Sequence, residues 1–133
     1  MSNEEFDAEL LSQAKARMNW INYKGKEILY DDYSSLTGDE MAKLIPVITH
    51  LTFESGKKDI LLIVDVSNGY ANKAAVNQFS ESGNISKHLL TKTAVLGITG
   101  VKKILLNVIN TITSLDAKPF STAEEAKEYL ISE

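Results

Sequence analysis

The sequence predicts one α/β domain built on a mixed, mainly parallel sheet, and three observations predict it. Strand-like and helix-like segments alternate through most of the chain, which implies right-handed crossovers between parallel strands. Two short runs, Ile60 to Val64 and Ala94 to Leu96, are continuously apolar, as strands covered on both faces are. Ahead of them, two β-prone runs flank a glycine turn, which is the pattern of an antiparallel hairpin. The length of 133 residues suits a single domain with a sizeable core.

Each element follows from local pattern. Residues 6–18 read as a short amphipathic helix or a loosely docked arm, with Phe6, Leu10, Leu11 and Ala14 on one stripe. We accordingly divide the chain into an N-terminal arm, 1–17, and a domain, 18–133. Residues 18–23 and 27–30 form the hairpin around Lys24-Gly25-Lys26, and 31–35 read as a loop. Thr37 and Glu40 fit a capping box, which opens a helix burying Met41, Leu44, Ile45, Ile48 and Leu51. Pro46 sits well inside that helix and predicts a kink or a break.

After the strand at 59–65, Ser67-Asn68-Gly69 reads as a turn. A weaker helix follows over 72–81, with Ala75, Val76 and Phe79 inward, and Gly83-Asn84 ends it. Residues 91–97 form the next strand. Thr99 reads as an N-cap, and Val101, Ile104, Leu105, Val108 and Ile112 recur at helical spacing behind it. Leu106 and Ile109 widen that stripe, which implies a deeply packed helix or one that meets a second subunit or a lipid surface. A short strand at 116–120 and a helix capped by Ser121 and Glu124, burying Ala126, Tyr129 and Leu130, close the chain.

Composition excludes several function classes. There is no cysteine, so no disulfide scaffold, zinc ribbon, thiol nucleophile or thiol redox sensor. The net charge is −4, and Arg17 is the single arginine, which argues against a nucleic-acid binder. Acidic residues gather at the ends, at Glu4, Glu5, Asp7 and Glu9 and again at Glu124, Glu125, Glu128 and Glu133. Lysines dominate between them, at Lys87, Lys92, Lys102, Lys103 and Lys118. The acidic N-terminus does not resemble a signal peptide and no apolar run is long enough to span a bilayer, so the cytoplasm is the expected compartment. His50 and His88 lack helical i, i+4 partners, so no metal site is expected. Ser67, His88 and Asp65 contain the groups of a catalytic triad, but no nucleophile elbow accompanies them. The expectation is therefore a protein that is not an enzyme.

Several segments together carry a family resemblance. A hairpin, a capped helix, a buried strand ending near Asp65, and Ala94-Val95-Leu96-Gly97 before a Lys-Lys helix resemble the SpoIIAA-like proteins of the STAS (anti-sigma-factor antagonist) superfamily. The closing stretch from Lys118-Pro119-Phe120 through Glu124-Glu125-Ala126 to Tyr129-Leu130 is similar to that family's short last strand and acidic final helix. The resemblance implies a small module without a cofactor that binds a protein partner or itself. In such antagonists a serine after the central strand is the phosphorylated switch, and Ser67 lies nearest that position. Relatives of similar fold include CRAL-TRIO lipid carriers, so the alternative is a carrier of an apolar small molecule or lipid. A response-regulator receiver is rejected, because 33–58 hold one helix where a receiver needs two helices and a strand.

Two segments are the candidate sites. Asp65, Ser67, Asn68 and Gly69 follow a strand at the sheet edge where ligands bind in open α/β folds, though the same residues make ordinary turns. Thr99, Gly100, Lys102 and Lys103 open a helix whose backbone N–H groups suit an anion or an acidic partner, though the same residues make an ordinary capped helix with solvated lysines. The hairpin aromatics Trp20, Tyr23, Tyr30 and Tyr33 suit cross-strand pairs, a dimer edge or the wall of an apolar pocket of a few hundred cubic ångströms (roughly drug-sized).

Overall fold

A computed structural model describes residues 6–100 and 102–133. Glu4 and Glu5 of the acidic N-terminus, and Val101 of the apolar helix stripe, lie outside them. The elements run α1 (Ala8–Arg17), β1 (Met18–Tyr23), β2 (Lys26–Asp32), α2 (Gly38–Glu54), β3 (Ile60–Asp65), α3 (Lys73–Ser86), β4 (Leu90–Leu96), α4 (Lys102–Thr113), β5 (Lys118–Phe120) and α5 (Ala123–Ile131). The five strands lie in chain order, β1-β2-β3-β4-β5, with β1 antiparallel to β2 and every other pair parallel. This is the mixed, mainly parallel sheet with an N-terminal hairpin that the pattern predicts. The hairpin closes through Lys24 and Gly25, both at positive φ, as a two-residue type I′ connection requires.

The two faces of the sheet are covered unequally. Strand residues alternate between faces. Leu29, Asp31, Leu62, Val64, Val66, Thr93 and Val95 point to the side that carries α1 to α4. Ile28, Ile63, Ala94 and Leu96 point to the other side and pack on Ala126 and Leu130 of α5. On the crowded side, α1 docks on α2 through fully buried Ala14, and α2 supplies Met41, Leu44, Ile45 and Ile48. The fourth helix, α4, packs on α3 and adds Leu106 to the same core.

Several local expectations change. β2 continues to Asp32, because Asp31 and Asp32 pair with Val64 and Asp65 of β3. Pro46 does not break α2, which is continuous over its 17 residues. The proline lies on the exposed face, where the carbonyl it leaves unpaired can meet water. Gly83 does not end α3. It is buried, and a Cβ there would lie 2.8 Å from the Thr113 side chain, so the glycine lets α3 and α4 approach closely. The last helix begins one residue late: Thr122, not Ser121, is its N-cap and accepts from the Glu125 N–H. The stripe on α4 divides. Leu105, Leu106, Ile109 and Thr113 turn inward, whereas Ile104, Val108 and Ile112 are 64%, 41% and 53% exposed.

Candidate functional site

The carboxyl ends of β2, β3 and β4 meet where the first candidate segment lies. The side chain of Asp65 accepts two hydrogen bonds. The Tyr30 hydroxyl donates to Oδ2 at 2.6 Å, and the Ser67 N–H donates to Oδ1 at 2.9 Å. Burial and then that bond to Asp65 hold the Tyr30 phenol well above its ordinary pKa, so it remains a donor. The loop beyond Asp65 continues the β2–β3 pairing through backbone bonds, Ser35 N–H to Ser67 O at 2.9 Å and Tyr70 N–H to Leu36 O at 3.1 Å. Asn68 is exposed at φ +58°, and Gly69 is buried against Met41. Asn72, five residues beyond Ser67, caps α3 by accepting from the Ala75 N–H.

Gly97 links the two candidate segments. It has φ +87°, and a Cβ there would lie 2.4 Å from the Ser67 nitrogen and 2.8 Å from its Oγ. The Lys102 ammonium lies 3.4 Å from the Gly97 carbonyl, close to donor range. Asp65, Ser67, Gly97 and Lys102 therefore form one connected edge. Thr99 and Gly100 form the exposed turn before α4, their carbonyls accepting from the Lys102 and Lys103 N–H groups. Lys103 follows in the first turn of α4 and is exposed. His88 packs on the Phe53 ring at 5.8 Å, and His50 lies 3.2 Å from Glu54 and against the Phe6 ring. Among the described residues, no cluster of three or more His, Asp or Glu side chains could hold a metal.

A second feature lies beneath the crowded face of the sheet. There, a cavity of about 120 Å³ is bounded by Leu62, Val64 and Val95 from the sheet and by Val76, Phe79 and Leu105 from α3 and α4. Leu62 and Val64 stay only half-buried at the centre of the sheet, where they line the cavity. The polar side chains of α2 and α3 along this wall are satisfied. Thr52 and Ser86 donate to carbonyls of their own helices, and Thr49 pairs with Ser82 at 2.6 Å. Two strand residues differ. Asp31 and Thr93 are each 6% exposed, and Asp31 Oδ1 and Thr93 Oγ1 have no hydrogen-bond partner among the described residues. Burial alone pushes the Asp31 carboxyl up to about 8, so it is neutral at pH 7. Tyr33, which also lines the cavity, is raised well above its ordinary value by burial and then by the neighbouring acid.

Asp31 and Thr93 escape the sequence reading of candidate sites. Carrying the period-2 alternation of β2 two residues past Leu29 would have placed Asp31 on the inward face; reading the strand as ending at Tyr30 hid it. The pocket expected among the hairpin aromatics also changes. Only Tyr33 of the four lines the cavity. Tyr23 donates to Glu128 at 2.6 Å, Tyr30 bonds Asp65, and Trp20 lies under the Lys57 ammonium, 4.1 Å from its ring centroid. Trp20 also borders a separate cleft of about 530 Å³, walled by Lys26, Glu27, Lys57 and Asp59 among others, which is too charged to hold an apolar molecule. A volume near 120 Å³ is also too small for a lipid chain.

No family model and no curated protein matches the chain. Among solved structures, the chain is similar to an uncharacterized protein of the DUF3478 family with a SpoIIAA-like fold from Shewanella loihica. The TM-score is 0.63 at 15% identity, covering 85% of this chain and 91% of that one. Together with the element order and the hairpin-led mixed sheet, this likeness shows that the chain has a SpoIIAA-like fold.

Proposed function

We propose that the chain is a non-enzymatic, STAS-like interaction module that works in the cytoplasm and engages a protein partner through α4 and the adjoining Asp65–Gly97 edge. One observation carries this reading: the exposed stripe Ile104, Val108 and Ile112, one residue per turn along α4. Among the described residues nothing covers these side chains, and contiguous exposed apolar surface marks interaction sites. Lys102 and Lys103 start the same helix and supply a basic rim that favours an acidic partner surface. Ser67 is the natural control point, since a negative charge on it would press against Gly97 and lie near the start of α4.

The test is quantitative affinity capture from the source cell, comparing the wild type with Ile104→Ser/Val108→Ser and with Ser67→Glu. Loss of the same captured protein in both variants supports the reading. Capture unchanged in both would overturn it. Size-exclusion chromatography with light scattering shows whether that partner is a second copy.

The cavity favours a second reading, a binding site for a small apolar molecule. Its volume is that of a ring-sized ligand rather than the lipid of a carrier.

A further inference from the structure

The cavity under the sheet contains two polar atoms that the fold does not use. Buried polar groups are almost always hydrogen-bonded, and one left unpaired costs stability. Thr49, Thr52, Ser82 and Ser86 on the helical wall obey that rule. Asp31 Oδ1 and Thr93 Oγ1 have no partner among the described residues, and both residues line the cavity. They occupy strands on either side of β3, with Asp31 beside Val64 and Thr93 beside Leu62. Between them lies an apolar floor. Among the described residues the only lysine at the wall, Lys102, is turned to the Gly97 carbonyl.

We propose that this cavity is a binding site for an uncharged, ring-sized apolar molecule whose hydroxyl or amide group completes the hydrogen bonding of Asp31, with Thr93 as the second contact. The proposal rests on the second reading above and adds its chemistry. The volume sets the size: an engineered apolar cavity of roughly 150 Å³ accepts benzene. The walls set the apolar body. A neutral carboxyl both donates and accepts, so it suits a group that can do either. An anion would meet no cation turned into the cavity, and an ammonium would need three acceptors where the walls offer fewer free ones.

The test uses benzene and phenol, two probes of the same body that differ by one hydroxyl. Methyl NMR spectra of the full chain are followed at Leu62, Val64 and Val95 as each probe is added. Phenol should shift these methyls and bind about tenfold tighter than benzene. Asp31→Leu should abolish that preference while still admitting benzene; Thr93, across β3, meets the ring rather than the hydroxyl, so Thr93→Val should leave the preference intact. Should Asp31→Leu fail to fold, Asp31→Val carries the comparison. Equal binding of both probes to the wild type would overturn the assignment to Asp31 and leave the cavity reading standing. No methyl shift with either probe at its solubility limit would overturn both. Tighter binding of benzylamine than of phenol would overturn the uncharged ligand.

Discussion

At the scale of single residues, Gly97 and Asp31 show opposite relations between a side chain and its surroundings. Gly97 has no room for a side chain. Its φ is positive, and a Cβ would stand 2.4 Å from the Ser67 nitrogen, so Gly97→Ala must displace the turn held by Asp65. We expect a loss of about 1–3 kcal/mol in urea denaturation, the usual cost of strained backbone. An unchanged midpoint would show that the Ser67 loop yields freely. Tyr30→Phe tests the other end of the same edge. It removes the donor to Asp65 Oδ2 and should cost about 1–2 kcal/mol. Asp31 has room but no partner among the described residues. The sequence hides this, because an acid next to a second acid and before Tyr33-Ser34-Ser35 has the composition of a loop.

At the scale of elements, the capping box of α2 was legible because it depends on residues three apart in the chain, whereas that of α5 was read one residue early. Thr37 accepts from the Glu40 N–H and its own N–H donates to Glu40 Oε1, so both halves of the predicted capping box are present. Thr37→Ala should lower stability by about 1 kcal/mol, measured by thermal or urea unfolding. Which face of α4 turns inward was not legible. Its apolar residues cover too wide an arc for periodicity to choose, and the choice falls to α3, where Gly83 allows the close approach of Thr113. The exposed stripe is therefore a tertiary outcome. Polar substitutions at Ile104 and Val108 should leave folding stability within about 0.5 kcal/mol of the wild type while abolishing partner capture. A large loss of stability would place those residues in the core. Pro46 is a similar case: the expected break rests on backbone chemistry alone, whereas packing of α2 on α1, α3 and the sheet holds the helix together around it.

At the scale of the whole molecule, the mixed, mainly parallel sheet was read from alternating elements and from two apolar runs, since burial on both faces leaves a direct mark on composition, whereas the order of the strands in the sheet was not read. What the sequence could not show is the cavity left between the sheet, α3 and α4. That gap has a global consequence through Asp31. Its carboxyl titrates at about 8 in the folded chain, against 3.8 for an unperturbed Asp. The folded state therefore holds a proton that the unfolded state releases, so stability falls as pH rises from about 4 to about 8 and levels off above. Relative to Asp31→Asn, the wild type should lose about 1.4 kcal/mol per pH unit between about pH 5 and 7. Chemical denaturation of both proteins across that range checks it.

Whether the fold keeps a neutral, unpartnered acid beneath its sheet is decided by the pH titration of the Asp31 side-chain carboxyl carbon, followed by NMR. A midpoint near 8 is expected in the free protein. A midpoint near the ordinary carboxylate value, with Asp31 ionised at neutral pH, would contradict it.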